Sequence, residues 1–312
     1  MILLCGIPSE PPLAMVREEL ARLSVPTLLF NQREFAQWGI ELSIAAGRAV
    51  GWVTVDGRRL RLEDVRGVFL RLMDDRHLPE LQDEPPDSPR RRYCRGVHDA
   101  LMRWCEVTSA RVVNRLAPMG SNSSKPYQLQ LIRELGFAVP ETLITSDPDA
   151  VLEFRRTHGR VVYKSISGVR SIVHTLEDAD LQRLHLIRWC PTQFQAYVEG
   201  HDVRVHVVDT AVFATRIDSG ATDYRYAQRQ INRSAELAPT ELAPEAAAAC
   251  VKLARGLGLA FAGIDLRVSA DGRVTCFEVN PCPAFSYYES HTGQPIAAAV
   301  ARYLARGAGR HT

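Results

Sequence analysis

Gly263-Ile-Asp-Leu-Arg267 and, beyond an Asp271-Gly272 turn, Cys276-Phe-Glu-Val-Asn-Pro281 form the stretch on which the fold turns. Two short apolar runs carry an acid each, and an Asp-Gly dipeptide between such runs predicts a hairpin. Side chains alternate along a strand, so Asp265 shares a face with Arg267, and Glu278 shares one with Asn280. Paired antiparallel, the strands bring three oxygen-bearing side chains and one guanidinium together. Oxygen donors without thiolate or imidazole suit Mg²⁺, which keeps several waters and binds through one or two carboxylates plus substrate phosphates. The hairpin therefore points to ATP chemistry. Taken alone it is also compatible with an edge hairpin whose charges are merely solvated.

The surrounding composition agrees with an enzyme of moderate size. With 312 residues, 46% hydrophobic and 24% charged, the chain has room for two or three subdomains around a substantial core. A net charge of +2 gives no argument for a nucleic-acid or membrane partner, and the cluster Arg90-Arg91-Arg92 with Arg95 reads as the solvated start of a helix. The opening Met1-Ile-Leu-Leu-Cys-Gly6 lacks the length and flanks of a secretory signal, and no apolar run approaches the ~18 residues of a membrane span. A cytoplasmic protein is expected. The 7 cysteines form no C-x-x-C pair and leave an odd count, which argues against a disulfide framework or a zinc site. Cys282 lies beside the hairpin but has no histidine near it in sequence to activate it.

Further out, residues 2–5, 12–23 and 27–30 read as strand, helix and strand, with Leu13, Val16, Leu20 and Leu23 on one helical face. Gly6 stands alone, so no dinucleotide-binding glycine fingerprint is present. Residues 52–62 predict a hairpin about Asp56-Gly57, 67–72 a strand, 78–89 a surface loop and 91–107 a helix. Helices are expected over 125–135, 151–157 and 244–257, and strands over 160–164, 192–198 and 203–214.

Several residues in these elements suit a triphosphate. Lys164 ends an apolar strand and runs into Ser165-Ile-Ser-Gly168, where a lysine can reach phosphates while backbone N–H groups approach their oxygens. Lys125 opens a helix, a place where a cation opposes the macrodipole unless an anion is bound. In Gln193-Phe-Gln-Ala-Tyr-Val-Glu-Gly-His-Asp-Val-Arg204, backbone groups at Ala196 and Val198 could read a base, Asp202 could accept from ribose hydroxyls, and Arg204 shares its face. The polar stretch from Arg216 to Ile231 reads as a long loop, in which Asp223 and Arg225 could hold substrate and Arg216 could face phosphate charge.

Taken in order, Lys125, Lys164, Gln195, Asp202, Arg204, Arg216, Asp265, Glu278 and Asn280 resemble the ATP-grasp superfamily. The phrases Ser124-Lys-Pro-Tyr-Gln-Leu, Val203-Arg-Val-His-Val-Val, Asp223-Tyr-Arg225 and Glu289-Ser-His-Thr-Gly-Gln-Pro-Ile296 resemble the branch of ribosomal-protein glutamate ligases and microviridin-type, or graspetide, peptide synthetases. The resemblance implies an α/β architecture with α+β lobes: a pre-ATP-grasp domain over 1–115, a central lobe over 116–195 and a C-terminal lobe with the metal site over 196–312. It implies an ADP-forming ligase that activates a carboxylate as an acyl phosphate for attack by an amine or hydroxyl. On this sequence Lys125 and Lys164 would bind phosphates, Gln195, Ala196 and Val198 adenine, and Asp202 ribose. Asp265, Glu278 and Asn280 would hold Mg²⁺, as two ions, with Arg204, Arg216 and Arg267 along the transferred phosphoryl group.

The expected substrate is a peptide or an amino-acid-like carboxylate, and a homodimer is left open. Two other readings remain: a ligase that adds an amino acid to a peptide, protein or metabolite, and an ATP-binding regulatory module without turnover. The chain departs from the branch in the turn Pro281-Cys-Pro-Ala-Phe285, where relatives commonly place a glycine, and in Gln195, where many have an acid.

Overall fold

The computed structural model describes residues 1–55, 57–166, 172–219, 232 and 235–306. The N-terminal part is built from β1 (Ile2–Gly6), α1 (Pro11–Arg22), β2 (Thr27–Asn31), β3 (Trp38–Ala45), β4 (Arg48–Val55), β5 (Arg58–Arg61), β6 (Gly67–Leu70), α2 (Pro89–Val107) and β7 (Arg111–Val113). Strands β2-β1-β6-β7 form a parallel sheet, and β1 is buried at every position, which explains its unbroken apolar sequence. Strands β3-β4-β5 form a separate antiparallel meander. The expected hairpin is its last two strands. The additional strand, β3, has apolar residues at Ile40, Leu42 and Ile44 alternating with Gly39, Glu41 and Ser43, the period of two that a half-buried strand requires.

The middle of the chain follows as α3 (Leu116–Met119), α4 (Lys125–Glu134), β8 (Thr142–Thr145), α5 (Pro148–His158), β9 (Val161–Ser165), β10 (His174–Thr175), α6 (Asp178–Leu181) and β11 (Thr192–Ala196). Its sheet has the order β10-β9-β11-β8 and a small core of Val151, Val161, Leu176, Leu184 and Phe194. The Asp147 side chain accepts from the Asp149 N–H to start α5, and Gly159, at φ 72°, ends it.

The C-terminal part comprises β12 (His201–Val208), β13 (Ala211–Asp218), β14 (Glu236–Thr240), α7 (Pro244–Gly256), β15 (Phe261–Val268), β16 (Val274–Asn280), α8 (Ser286–Thr292) and α9 (Ile296–Ala305). The five strands lie in the antiparallel order β14-β13-β12-β15-β16. Two expectations are corrected here. The apolar run 203–214 is two strands, reversed at Asp209, whose φ is 55°, with no glycine to announce the turn. The stretch after Arg216 begins inside β13 and remains strand through Asp218.

One face of this sheet, with Val203, Val205, Ile264, Leu266, Cys276 and Val279, packs on Cys250, Leu253 and Ala254 of α7 and on Ile132 of α4. The last helix, α9, instead completes the core beneath β1 and α1. Asn114, after β7, locks these parts together. Its Nδ2 donates to the carbonyls of Phe261 and Pro281, at 2.6 Å each, and its Oδ1 accepts from the N–H groups of Ala260 (2.9 Å) and Phe261 (3.1 Å). All the hydrogen-bonding capacity of that buried amide is spent on the start of β15 and the turn after β16. Among the described residues no helix is long and apolar enough to cross a membrane.

Candidate active site

A cleft between the β9–β11 sheet and the five-stranded sheet is lined by Lys164, Gln195, Asp202, Asp265, Arg267 and Glu278, together with Val162, Tyr197, Ile217 and Phe277. Cross-strand register creates it. Asp202 lies opposite Arg267, Arg204 opposite Asp265, Asp265 opposite Glu278, and Gly263 opposite Asn280, and residues so opposed point to the same face. Strict alternation would also turn Cys276 toward the cleft. A bulge at Asp265/Leu266 prevents this: Cys276 pairs with Leu266 in the core, and Phe277 is the extra residue, lining the cleft beside Glu278.

The charges form ordered pairs. Arg204 is buried and donates from Nη1 to Asp265 Oδ1 at 2.7 Å. Its guanidinium lies across Gly263, where a Cβ would come 2.1 Å from Nη2, so the glycine at this place in the motif is a steric requirement. Arg267 donates from Nε to Asp202 Oδ1 and from Nη1 to the Val198 carbonyl, each at 2.9 Å, between the rings of Tyr197 and Phe277. Lys125, at the first turn of α4, brings Nζ to 3.8 Å from Glu278 Oε2. On the opposite wall Lys164 stands across from Gln193, and Gln195 Nε2 donates to Thr142 Oγ1 at 3.0 Å.

The structure thus gathers Lys125, Lys164, Gln195, Ala196, Val198, Asp202, Arg204, Asp265, Arg267 and Glu278 about one cleft. It assigns Arg267 a different neighbourhood from the one expected, against Asp202 and Val198 at the connection from β11 to β12, the hinge between the two sheets. Two hinge groups are already engaged, since the Ala196 N–H donates to the Glu141 carbonyl and the Val198 carbonyl accepts from Arg267. Arg216 does not join the site. It pairs with Val203 and Ala238, one residue out of phase with Thr215 and Ile217, so its side chain leaves from the other face, where it meets Asp218 at 3.0 Å. Asp223 and Arg225 lie outside the described residues.

Beyond the Arg204–Asp265 pair, His206 is fully buried against Phe261 and Tyr288. Neither ring nitrogen has a hydrogen-bond partner among the described residues, and burial, reinforced by Arg204, holds its pKa well below the usual histidine value. At the far end Arg71, from the N-terminal part, pairs with Glu10 and donates from Nη1 to Cys282 Sγ (3.0 Å) and the Pro283 carbonyl (3.1 Å). Burial raises the Cys282 pKa, which makes that thiol a poor nucleophile. The glycine-free turn is thus held from outside by an arginine that no local pattern could pair with it.

The donor set fits Mg²⁺. Asp265 and Glu278 are adjacent carboxylates of which one oxygen is committed to Arg204, and Asn280 Oδ1 accepts from the Cys282 N–H at 2.9 Å, leaving a second lone pair. Among the described residues no group of three or more His, Cys, Asp or Glu side chains is placed to hold a metal. An ion here would complete its shell from water and phosphate, as Mg²⁺ does at nucleotide sites.

Comparisons with known proteins bear on the fold and the class of the chain. The family described as the RimK-like ATP-grasp domain matches residues 123–304, more than half of the chain. A probable alpha-L-glutamate ligase of Chromohalobacter salexigens is 26% identical over 220 residues, which cover 67% of this chain and 72% of that protein. A RiPP-associated ATP-grasp ligase of Chryseobacterium gregarium, solved with ADP and a leader and core peptide, superposes with a TM-score of 0.82 at 21% identity, covering 98% of this chain and 96% of that one. The ATP-grasp ligase PsnB, solved with a variant of its minimal precursor, Mg and ADP, gives 0.76 at 28% identity over 98% and 97% of the two chains. The chain belongs to the RimK-like ATP-grasp family and is an ATP-grasp ligase by class.

Proposed function

We propose that the protein uses ATP to activate a peptide side-chain carboxylate as an acyl phosphate, which an amine or hydroxyl then attacks. The observation that carries this reading is the convergence of Asp265, Glu278 and the buried Arg204 on one cleft face that Lys125 also reaches. Adenine would lie at the hinge, Gln195 to Val198, between apolar walls that include Val162, Ile217 and Phe277. Asp202, oriented by Arg267, would accept from the ribose, and the phosphates would run past Arg204 toward Lys125 and Lys164. Asp265, Glu278 and Asn280 would hold Mg²⁺, as two ions. When bound, the metal would supply positive charge that offsets the charge developing on the departing ADP.

A substrate carboxylate oxygen would attack the γ-phosphorus while the β–γ bridging oxygen leaves with ADP. The amine or hydroxyl would then add to the acyl carbon, lose its proton and expel inorganic phosphate. The chain's own residues position and neutralise; none forms a covalent bond. Arg204, fixed on Asp265 and desolvated, is the group placed to face the transferred phosphoryl. Asp223 and Arg225 are proposed to hold the nucleophile-bearing substrate.

The peptide reading is supported by similarity along the whole chain to PsnB, a ligase solved with a precursor peptide. Addition of an amino acid is the second reading, supported by relatives named alpha-L-glutamate ligases. Incubation with Mg-ATP and a peptide and amino-acid panel, with hydroxylamine as the acyl-phosphate trap, tests both. Loss of one water from a single peptide is the expected product mass, a heavier adduct favours the second reading, and absence of ADP and hydroxamate across the panel overturns the activity itself.

A further inference from the structure

Among the described residues strand β16 lies at the edge of its sheet, with β15 on one side and on the other only a bridge from Ala138 at Thr275 and Cys276, so the outward backbone groups further along need partners from elsewhere. At Val279 they find a single side chain. Gln128 Nε2 donates to the Val279 carbonyl at 2.8 Å, and Gln128 Oε1 accepts from the Val279 N–H at 3.0 Å, so a primary amide stands in for a neighbouring strand. Gln128 is 3% exposed, and no solvent competes for these bonds.

The two bonded groups belong to different peptide planes. The Val279 N–H lies in the plane that joins it to Glu278, and its carbonyl in the plane that joins it to Asn280. Holding both planes fixes the direction in which the Glu278 and Asn280 side chains leave the strand. The clamp acts where β15 holds the strand least, because the bulge at Phe277 interrupts the ladder one residue before Glu278. It also arises from the helix that carries Lys125, one turn earlier on the same face. One rigid element thereby sets the spacing between the phosphate-side lysine and the two strand donors.

We infer that Gln128 is a positioning residue for the metal site, acting through the Val279 backbone. It touches no nucleotide atom in this assignment. The inference rests on the proposed metal role of Glu278 and Asn280, and the test separates the two.

Calorimetric titration of Mn²⁺ into the ADP-bound protein reads the site without turnover, and metal-free ADP binding serves as the internal reference. Gln128→Met, of similar shape but without either bond, should weaken Mn²⁺ about tenfold, the range seen when groups that orient metal ligands are removed. Metal-free ADP affinity should stay within about twofold, and the Val279 amide should lose hydrogen-exchange protection. Gln128→Glu keeps the acceptor for the Val279 N–H and sets a carboxylate against its carbonyl, so it should also weaken Mn²⁺ and provides the reading should the Met variant fail to fold. Glu278→Gln is measured alongside. If that variant binds Mn²⁺ as wild type does, the metal assignment falls; if it weakens Mn²⁺ while the folded Gln128 variants do not, the assignment stands and the positioning role of Gln128 is overturned.

Discussion

On the side of the five-stranded sheet turned to α7, β12, β15 and β16 present Val203, Val205, Ile264, Leu266, Cys276 and Val279, all buried. On the other side the same strands present Asp202, Arg204, Asp265, Arg267 and Glu278 in cross-strand pairs at the cleft. The apolar face gains from area removed from water and tolerates changes of shape that keep volume. The charged face depends on register: each cation meets its partner only because the ladder places them on one rung. The apolar face thus supplies a rigid scaffold on which a geometrically exacting polar face can be displayed.

The largest effect that would break this contrast is expected at Glu278. Glu278→Gln should lower ADP formation by a factor on the order of 100 or more, because charge neutralisation at the phosphoryl group is lost, while the melting curve stays near wild type. Parallel turnover and thermal-unfolding measurements check it; normal turnover refutes the assignment. Gly263→Ala comes next. A Cβ there collides with Arg204 and with Pro283, so stability should fall by about 1–3 kcal/mol and turnover should fall with it, in contrast to the Glu278 variant, in which the two separate.

On the polar side, His206 makes stability depend on pH. Its pKa is depressed in the folded state, so below the ordinary value of 6.5 the unfolded chain binds a proton that the folded chain does not. Stability must then rise with pH through that region and drop as pH falls below it, with a slope approaching about 1.4 kcal/mol per pH unit. His206→Phe should flatten the denaturation midpoint between pH 5 and pH 7 relative to wild type; an unchanged slope would show that other groups govern it. The smallest effect is expected at Arg216. It leaves from the opposite face and pairs with an exposed Asp218, so Arg216→Ala should keep turnover within about twofold and stability within about 0.5 kcal/mol. A large loss of kcat would mean that this arginine reaches the phosphates in a form of the protein other than the one described.

The contrast between Arg204 and Arg216 also shows how far the chain could be read in advance. Both stood in a motif order consistent with phosphate chemistry, yet parity along β13 separates them, and parity was obscured because the apolar run 203–214 disguises a turn at Asp209. The place of Phe277 at the cleft is not legible in the sequence for a related reason, since a bulge shifts phase by one residue without any glycine or proline to mark it. The meander strand β3 was legible in its alternation. The side chains that hold the site from a distance, Arg71, Asn114 and Gln128, were not legible as such, because 150 or more residues separate each from the backbone it binds at Pro281, Pro283 or Val279.

Local periodicity and residue chemistry were enough to read the hairpin that carries Asp265 and Glu278, the helix that opens at Lys125, the strand that ends near Lys164, and the lack of histidine beside those two acids. Contacts between segments settle which residues share a face across strands, where Arg267 and Arg216 end up, and that Gln128 holds Val279 while Asn114 and Arg71 hold the turn after Asn280. The reason is physical. Alternation is a property of one strand, whereas register, bulges and edge partners are properties of contacts between segments, and their energies do not exist until those segments meet.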